Sequence, residues 1–140
     1  MNRLLVIALA ACGTTAQGPV APTNAKAPEK SAQLNKPGEL VDVEAQLPAG
    51  YVAVVDFWGE HCGACVVVGG MLAVQVALDD RVVIRKVDVG DGFTPVAKQY
   101  QIGALPHFRV YDKHKRMRYL LVGNDTLKAP ELAKQLAAEP

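Results

Sequence analysis

Cysteine, histidine and net charge are scarce in this chain, and each shortage closes off a class of function. Only three cysteines and three histidines stand among its 140 residues. They include one Cys-x-x-Cys pair, Cys62 and Cys65, and no second, so a structural zinc site would need two further ligands from elsewhere. The formal net charge is +1, which supplies no basic surface for nucleic acid. The opening apolar run, Leu4 to Ala11, is too short to span a bilayer. No internal repeat is visible. What the chain does hold is a hydrophobic share of 50%, over a length that suits one domain with a real core plus short appendages.

Eight consecutive residues, Trp58-Gly59-Glu60-His61-Cys62-Gly63-Ala64-Cys65, carry most of the chemistry. An apolar, strand-like run from Val52 to Phe57 precedes them, and a helix-like segment follows. A Cys-x-x-Cys pair at such a junction sets both sulfurs in the first helical turn, where residues three apart share a face and reach disulfide distance. The unpaired N–H groups and the dipole of the helix start favour a thiolate at Cys62. That is the chemistry of a reversible redox pair, and half of a zinc site is the alternative reading. Asp56 lies among apolar neighbours, where burial penalises a lone carboxylate and raises its pKa.

The first 37 residues read differently. Asn2-Arg3 followed by the run Leu4 to Ala11 has the layout of a secretion signal. Its end, Leu9-Ala10-Ala11-Cys12, resembles the lipobox of bacterial lipoproteins. That resemblance implies cleavage before Cys12, a diacylglycerol on its sulfur and an acylated amine, which together make a stable membrane anchor. Residues 1–11 are therefore expected to be a lipoprotein signal peptide. Residues 12–37 are expected to be the lipidated cysteine and a flexible linker, rich in Ala, Thr, Pro, Gln and Lys. Residues 38–140 are expected to form the folded domain, near neutral with eleven basic and thirteen acidic residues. Within it, the cluster Lys113, His114, Lys115, Arg116 and Arg118 reads as a solvated hairpin tip.

Strand and helix alternate through that domain. Glu39 to Val43 is a weak strand candidate, and Val52 to Phe57 is a central strand, apolar on both faces. Cys62 to Leu78 reads as a helix that Gly69-Gly70 weakens or bends. Arg81 to Val87 is a β-branched strand, and Thr94 to Tyr100 a short helix with Thr94 at the N-cap and Pro95 first. His107 to Tyr111 and Arg116 to Val122 form a hairpin. Residues 126–138 close the chain as an amphipathic helix with Leu127, Leu132 and Leu136 inward. A β-α-β unit followed by a hairpin and a helix fits one mixed sheet flanked by helices.

Four short segments, in this order and at these separations, are similar to one family. They are Val55-Asp56-Phe57-Trp58 before the cysteine pair, Val87-Asp88 closing the next strand, Tyr100-Gln101-Ile102 ahead of Ala104-Leu105-Pro106, and Val122-Gly123 before the last helix. Residues 38–140 resemble a thioredoxin-fold domain, and the whole chain resembles a lipid-anchored periplasmic thioredoxin-like protein. The resemblance implies an α/β thioredoxin fold, a central mixed β-sheet flanked by α-helices. It implies that Cys62 is the attacking thiol and Cys65 the resolving thiol of a redox-active disulfide, with Asp56 beneath Cys65 relaying its proton. It makes Pro106 a cis-proline and leaves the backbone of Leu105 beside the sulfurs, free to pair with substrate chain. Trp58 and Gly123 are expected at the rim, the glycine where backbone approaches the site closely. Three positions depart from the family. His61 stands where thioredoxins usually carry tryptophan, Gly63-Ala64 replaces Gly-Pro, and His107 follows Pro106 where threonine is common. A protonated His61 favours the Cys62 thiolate, and both histidines are expected near the sulfurs.

The expected activity is thiol:disulfide exchange on protein substrates with thiols or disulfides. Its expected setting is the bacterial cell envelope, in a periplasm-facing lipoprotein recharged by a membrane redox partner. The cysteine pair carries the electrons, so no cofactor and no resident metal are expected, nor nucleic acid, and the chain is expected to be monomeric. The alternative belongs to another class: a copper or zinc carrier using Cys62, Cys65 and either His61 or His107, because thiolates with imidazole suit Cu(I).

Overall fold

A computed structural model describes residues 26–140. The expected signal peptide, the lipidation site Cys12 and the linker up to residue 25 lie outside the described residues. One five-stranded mixed sheet organises the rest. Its strands are β1 (Ser31–Gln33), β2 (Val52–Trp58), β3 (Val82–Asp88), β4 (His107–Tyr111) and β5 (Met117–Val122), in the spatial order β1-β3-β2-β4-β5. β1 and β2 run parallel to β3, while β4 is antiparallel to both β2 and β5. The helices are α1 (Gly63–Val76), α2 (Pro95–Gln99) and α3 (Ala129–Ala138). This is the mixed sheet with flanking helices that the alternation of patterns predicts.

β2 lies at the centre because nearly every side chain it carries is buried, as a strand covered on both faces requires. Ala53, Val55 and Phe57 point into one core with Val83, Val87, Val96 and Tyr111. Val52 and Val54 point into the other, with Leu72 and Val76 of α1 and Ala133 and Leu136 of α3. Each fully buried Val, Leu or Phe contributes about 1.5–3 kcal/mol of transfer free energy. The strand ends at the cysteine segment, so the same run that builds the core also aims Cys62 at the carboxyl edge of the sheet.

The structure corrects the domain boundary at residue 38. Ser31, Ala32 and Gln33 pair in register with Ile84, Arg85 and Lys86 as an edge strand. Lys30 donates to the carbonyls of Asp79 and Val82, and Arg85 to the carbonyl of Glu29. The linker composition misleads here because an edge strand of three residues needs backbone pairing, not a hydrophobic run. The strand expected at Glu39–Val43 is also absent. Val41, Val43 and Leu47 are buried from an irregular segment with one 3₁₀ turn, Glu44–Gln46. The Gln99 and Tyr100 side chains take up the backbone groups of Val41 and Val43 that a neighbouring strand would have satisfied.

Thr94 is the N-cap residue of α2 with Pro95 first, as expected, although its hydroxyl makes no capping bond and donates instead to the carbonyl of Val89. One further correction concerns the last helix. The last helix begins at Ala129 after a 3₁₀ turn, Gly123–Lys128, with Pro130 in its first turn. Leu127 therefore lies outside the helix and is exposed, while Leu136 is buried as expected.

Candidate active site

Cys62 is the N-cap of α1, where its Sγ accepts a hydrogen bond of 3.1 Å from the Cys65 N–H. A sulfur in this position meets the positive end of the helix dipole and one of its unpaired donors, and both favour the thiolate. The two cysteines form a disulfide across a Cα–Cα distance of 5.2 Å. Cys62 is half-buried and Cys65 is 2% exposed, so a partner reaches the first sulfur and not the second.

A cleft of about 260 Å³ opens beside Cys62, lined by Gly59, His61, Gly90, Asp91 and Leu105. Its floor depends on Gly59, where a Cβ would stand 2.7 Å from the carbonyl oxygen of Gly90. The Leu105–Pro106 peptide is cis. Among the described residues the Leu105 backbone makes no hydrogen bond, and the Pro106 carbonyl accepts from the Gly123 N–H at 2.9 Å. Gly123 is thus next to the site, but for a different reason from the one expected. A Cβ there would meet nothing within 4 Å, and the residue is glycine for its φ of +58°. A second cleft of about 500 Å³ shares Asp91 and Leu105 with the first and runs on to Ile102 and Phe93. Phe93 is 83% exposed, an aromatic ring left in water along this edge.

Asp56 lies under α1. It is 1% exposed, and its Oδ1 has no hydrogen-bond partner among the described residues. Its Oδ2 is 3.9 Å from the Lys86 ammonium. A Cβ at Gly69 would stand 3.0 Å from that same oxygen, so glycine at this turn makes room for the carboxylate. Gly69 follows Cys65 by four residues, one turn along the same helix face. Burial pushes the Asp56 pKa up to about 6, and the Lys86 charge holds it from rising further.

Other candidate residues are placed elsewhere. Trp58 lines neither cleft; its Nε1 donates to Gln33 of β1, and Lys86 lies 4.8 Å over its ring. His107 is buried on the opposite face of the sheet from Asp56, with its ring edge-on to Phe57 at 5.4 Å. Burial and the neighbouring Arg109 push its pKa down to about 4. Of the two histidines, only His61 borders Cys62. Among the described residues, no three His, Cys, Asp or Glu side chains gather closely enough to hold a metal ion. The carrier reading that uses His107 therefore has no geometry behind it.

The sequence pattern alone does not mark Lys86, Gly69 and Phe93 as functional. Lys86 had a readable signal, since it forms with Arg85 an adjacent pair of cations in a β-branched strand directly before Val87-Asp88. Gly69 had one as well, since a mid-helix glycine implies close approach as readily as a bend.

The fold and the cysteine end of α1 agree with a match over residues 42–137 to the family model described as Thioredoxin. The chain belongs to the thioredoxin family. It is 29% identical to thioredoxin of Coprinus comatus over 91 residues, covering 64% of this chain and 85% of that one. A solved Malassezia sympodialis thioredoxin is 28% identical with a TM-score of 0.52, covering 64% of this chain and 80% of its own. Schistosoma mansoni thioredoxin is 25% identical with a TM-score of 0.57, over 76% and 94%. This thioredoxin-family protein is a thioredoxin-like disulfide oxidoreductase, of a family that acts on protein thiols and disulfides.

Proposed function

We propose that this thioredoxin-family protein exchanges disulfides with protein substrates at the bacterial cell envelope, held there by lipid on Cys12 and using the Cys62-Gly63-Ala64-Cys65 pair. The observation that carries the chemistry is the pairing of an accessible Cys62 with a buried, incompletely bonded Asp56 under the turn after Cys65. In the reducing direction, the Cys62 thiolate attacks a substrate disulfide, forming a mixed disulfide and releasing one substrate thiolate. Cys65 then gives its proton to the Asp56 carboxylate and attacks the Cys62 sulfur. The second substrate thiolate leaves, and the Cys62–Cys65 disulfide remains. With a pKa of about 6, Asp56 is ionised at neutral pH and suited to accept that proton. Extended substrate lies along the unpaired backbone of Leu105, with a side chain in the cleft toward Phe93. The oxidising direction is the same sequence reversed, and a membrane redox partner sets which one runs.

Replacing Cys65 with Ser is expected to trap substrates as mixed disulfides on Cys62, whereas Cys62→Ser traps none. Equal trapping by both variants, read on non-reducing gels, overturns the assignment of roles. The location rests on Leu9-Ala10-Ala11-Cys12. Cys12→Ser is expected to abolish metabolic lipid labelling and release the protein from the membrane fraction, with exchange activity in vitro unchanged. A wild-type chain that is never labelled overturns the anchor.

A further inference from the structure

α1 departs from the usual amphipathic plan in a way the redox chemistry does not require. No charged residue occurs from Cys62 to Leu78, and Gln75 is the one polar side chain beyond the cysteines. Leu72 and Val76 face the core, yet the outward side is apolar too. Leu78 is 97% exposed, Val74 78%, Val66 66% and Val67 62%, with Met71 alongside. Gly70, Ala73 and Ala77 fill the gaps between them and are exposed as well. Among the described residues nothing covers this face. A solvated helix carries charge on its outer side, and one that is apolar all round has a second apolar surface against it.

Three observations identify that surface. The spacing Val67, Met71, Val74, Leu78 follows one stripe, but Val66, Gly70, Ala73 and Ala77 widen it to well over 100° of arc, at 100° per residue. That exceeds the narrow seam one partner helix covers and suits a flat, soft apolar phase. The chain also enters the domain at this helix: Lys30 donates to the carbonyls of Asp79 and Val82, just past Leu78. From Cys12 to Lys30 the chain reaches at most about 60 Å, so a lipid on Cys12 keeps a bilayer within range of this end of α1. Lastly, Asp79, Asp80, Arg81 and Lys134 border the carboxyl end of the stripe with balanced charge, which leaves apolar burial as the driving term.

We propose that the outward face of α1, from Val66 to Leu78, rests on the lipid surface. The proposal builds on the Cys12 anchor read above. In this pose α1 lies along the interface as a monotopic helix does, and Cys62 at its amino end sits within reach of redox partners embedded in the membrane.

The test places a photoreactive benzoylphenylalanine at Val74, or as a control at Leu40, which is 66% exposed on the other side of the sheet. The full-length chain is purified from bacterial membranes and reconstituted on vesicles of phosphatidylethanolamine and phosphatidylglycerol. Illumination is expected to yield lipid adducts at position 74 several-fold above those at position 40, and the excess is expected to persist in high salt. Val74→Lys, read with the reporter at Met71, is expected to cut the lipid adduct roughly tenfold, because one buried Val side chain is worth about that factor in partition, while solution exchange activity stays at the wild-type level. Equal lipid adducts at positions 74 and 40 overturn the proposal, as does crosslinking of position 74 to a second copy or to the chain's own amino-terminal segment. Mass spectrometry of the same preparation reports the acyl group on Cys12. A missing acyl group with preferential adducts at position 74 refutes the anchor alone, and an acylated chain with no preference refutes the docking face alone.

Discussion

Two buried carboxylates stand at opposite ends of the sheet, and they titrate in opposite directions. Asp56 lies at the cysteine end with one oxygen unbonded and its nearest cation 3.9 Å away. Asp112 closes the β4–β5 turn at the other end. Its Oδ1 accepts from the N–H groups of His114 and Arg116, and its Oδ2 from the guanidinium groups of Arg116 and Arg118. Burial pushes the pKa of both upward. At Asp56 burial prevails and the pKa is about 6; at Asp112 the donors overcome it and the pKa falls to about 2. Asp56 lies deep beneath a helix, whereas Asp112 is covered only by its own turn and two arginines near the surface, so depth and the number of donors aimed at each carboxylate decide its charge together. One end of the sheet holds an acid kept available for proton transfer, and the other holds one fully used in fixing a hairpin.

The contrast breaks most sharply at Asp56. Its folded pKa lies above the ordinary value of 3.8, so between about pH 4 and 6 the folded state keeps a proton that the unfolded chain has lost. Stability therefore falls as pH rises through that window and stays lowered above it. The shift of roughly two units corresponds to about 3 kcal/mol. Asp56→Asn is expected to raise the unfolding free energy at pH 7 by about 2–3 kcal/mol in urea titrations. The same change is expected to slow disulfide exchange by on the order of 100-fold. A variant that loses stability would show that Asp56 is structural, like Asp112.

Asp112→Ala is the mirror experiment. It leaves two backbone N–H groups and two guanidinium groups short of an acceptor, with an expected loss of about 2–3 kcal/mol and an unchanged exchange rate. In the wild-type chain this contribution is present above about pH 4 and disappears as pH falls through about 2, the opposite sense to Asp56. Acid denaturation of wild type and variant, compared across that range, checks the sign.

Lys86 sharpens the comparison with the smallest effect. Among the described residues its ammonium is the one cation that lowers the Asp56 pKa, and it stands 36% exposed, so solvent screens it. Lys86→Met is expected to move the Asp56 pKa above about 6 and to shift the acidic limb of the exchange–pH profile upward. The expected change in stability is about 1 kcal/mol or less. A profile that does not move would separate the two charges.

The sequence pattern was legible where local chemistry repeats. The apolar run of β2, the β-branched run of β3 and the hairpin around Asp112 all lie within a residue or two of their expected bounds. The strand–cysteine–helix order likewise places Cys62 and Cys65 at the start of α1. Three kinds of feature escaped. β1 carries no hydrophobic signal, since it exists through backbone pairing to β3. Val41 and Val43 look strand-like, yet the hydroxyl of Tyr100, 57 residues further along for Val43, satisfies their backbone in a loop. Trp58 adjoins the cysteine motif in sequence, but strand alternation and Gln33 turn its indole toward β1.

By itself, the sequence determined which residues could do redox chemistry and where along the chain they lie. Periodicity and cysteine spacing are local properties, readable within a turn or a strand. Only the tertiary structure decided which of those residues share a site. It set Asp56 beneath Gly69 with Lys86 beside it, sent His107 to the opposite face, and left the outer side of α1 uncovered. These are relations between segments far apart in the chain, and they depend on which sheet face each alternation selects once the strands are in register.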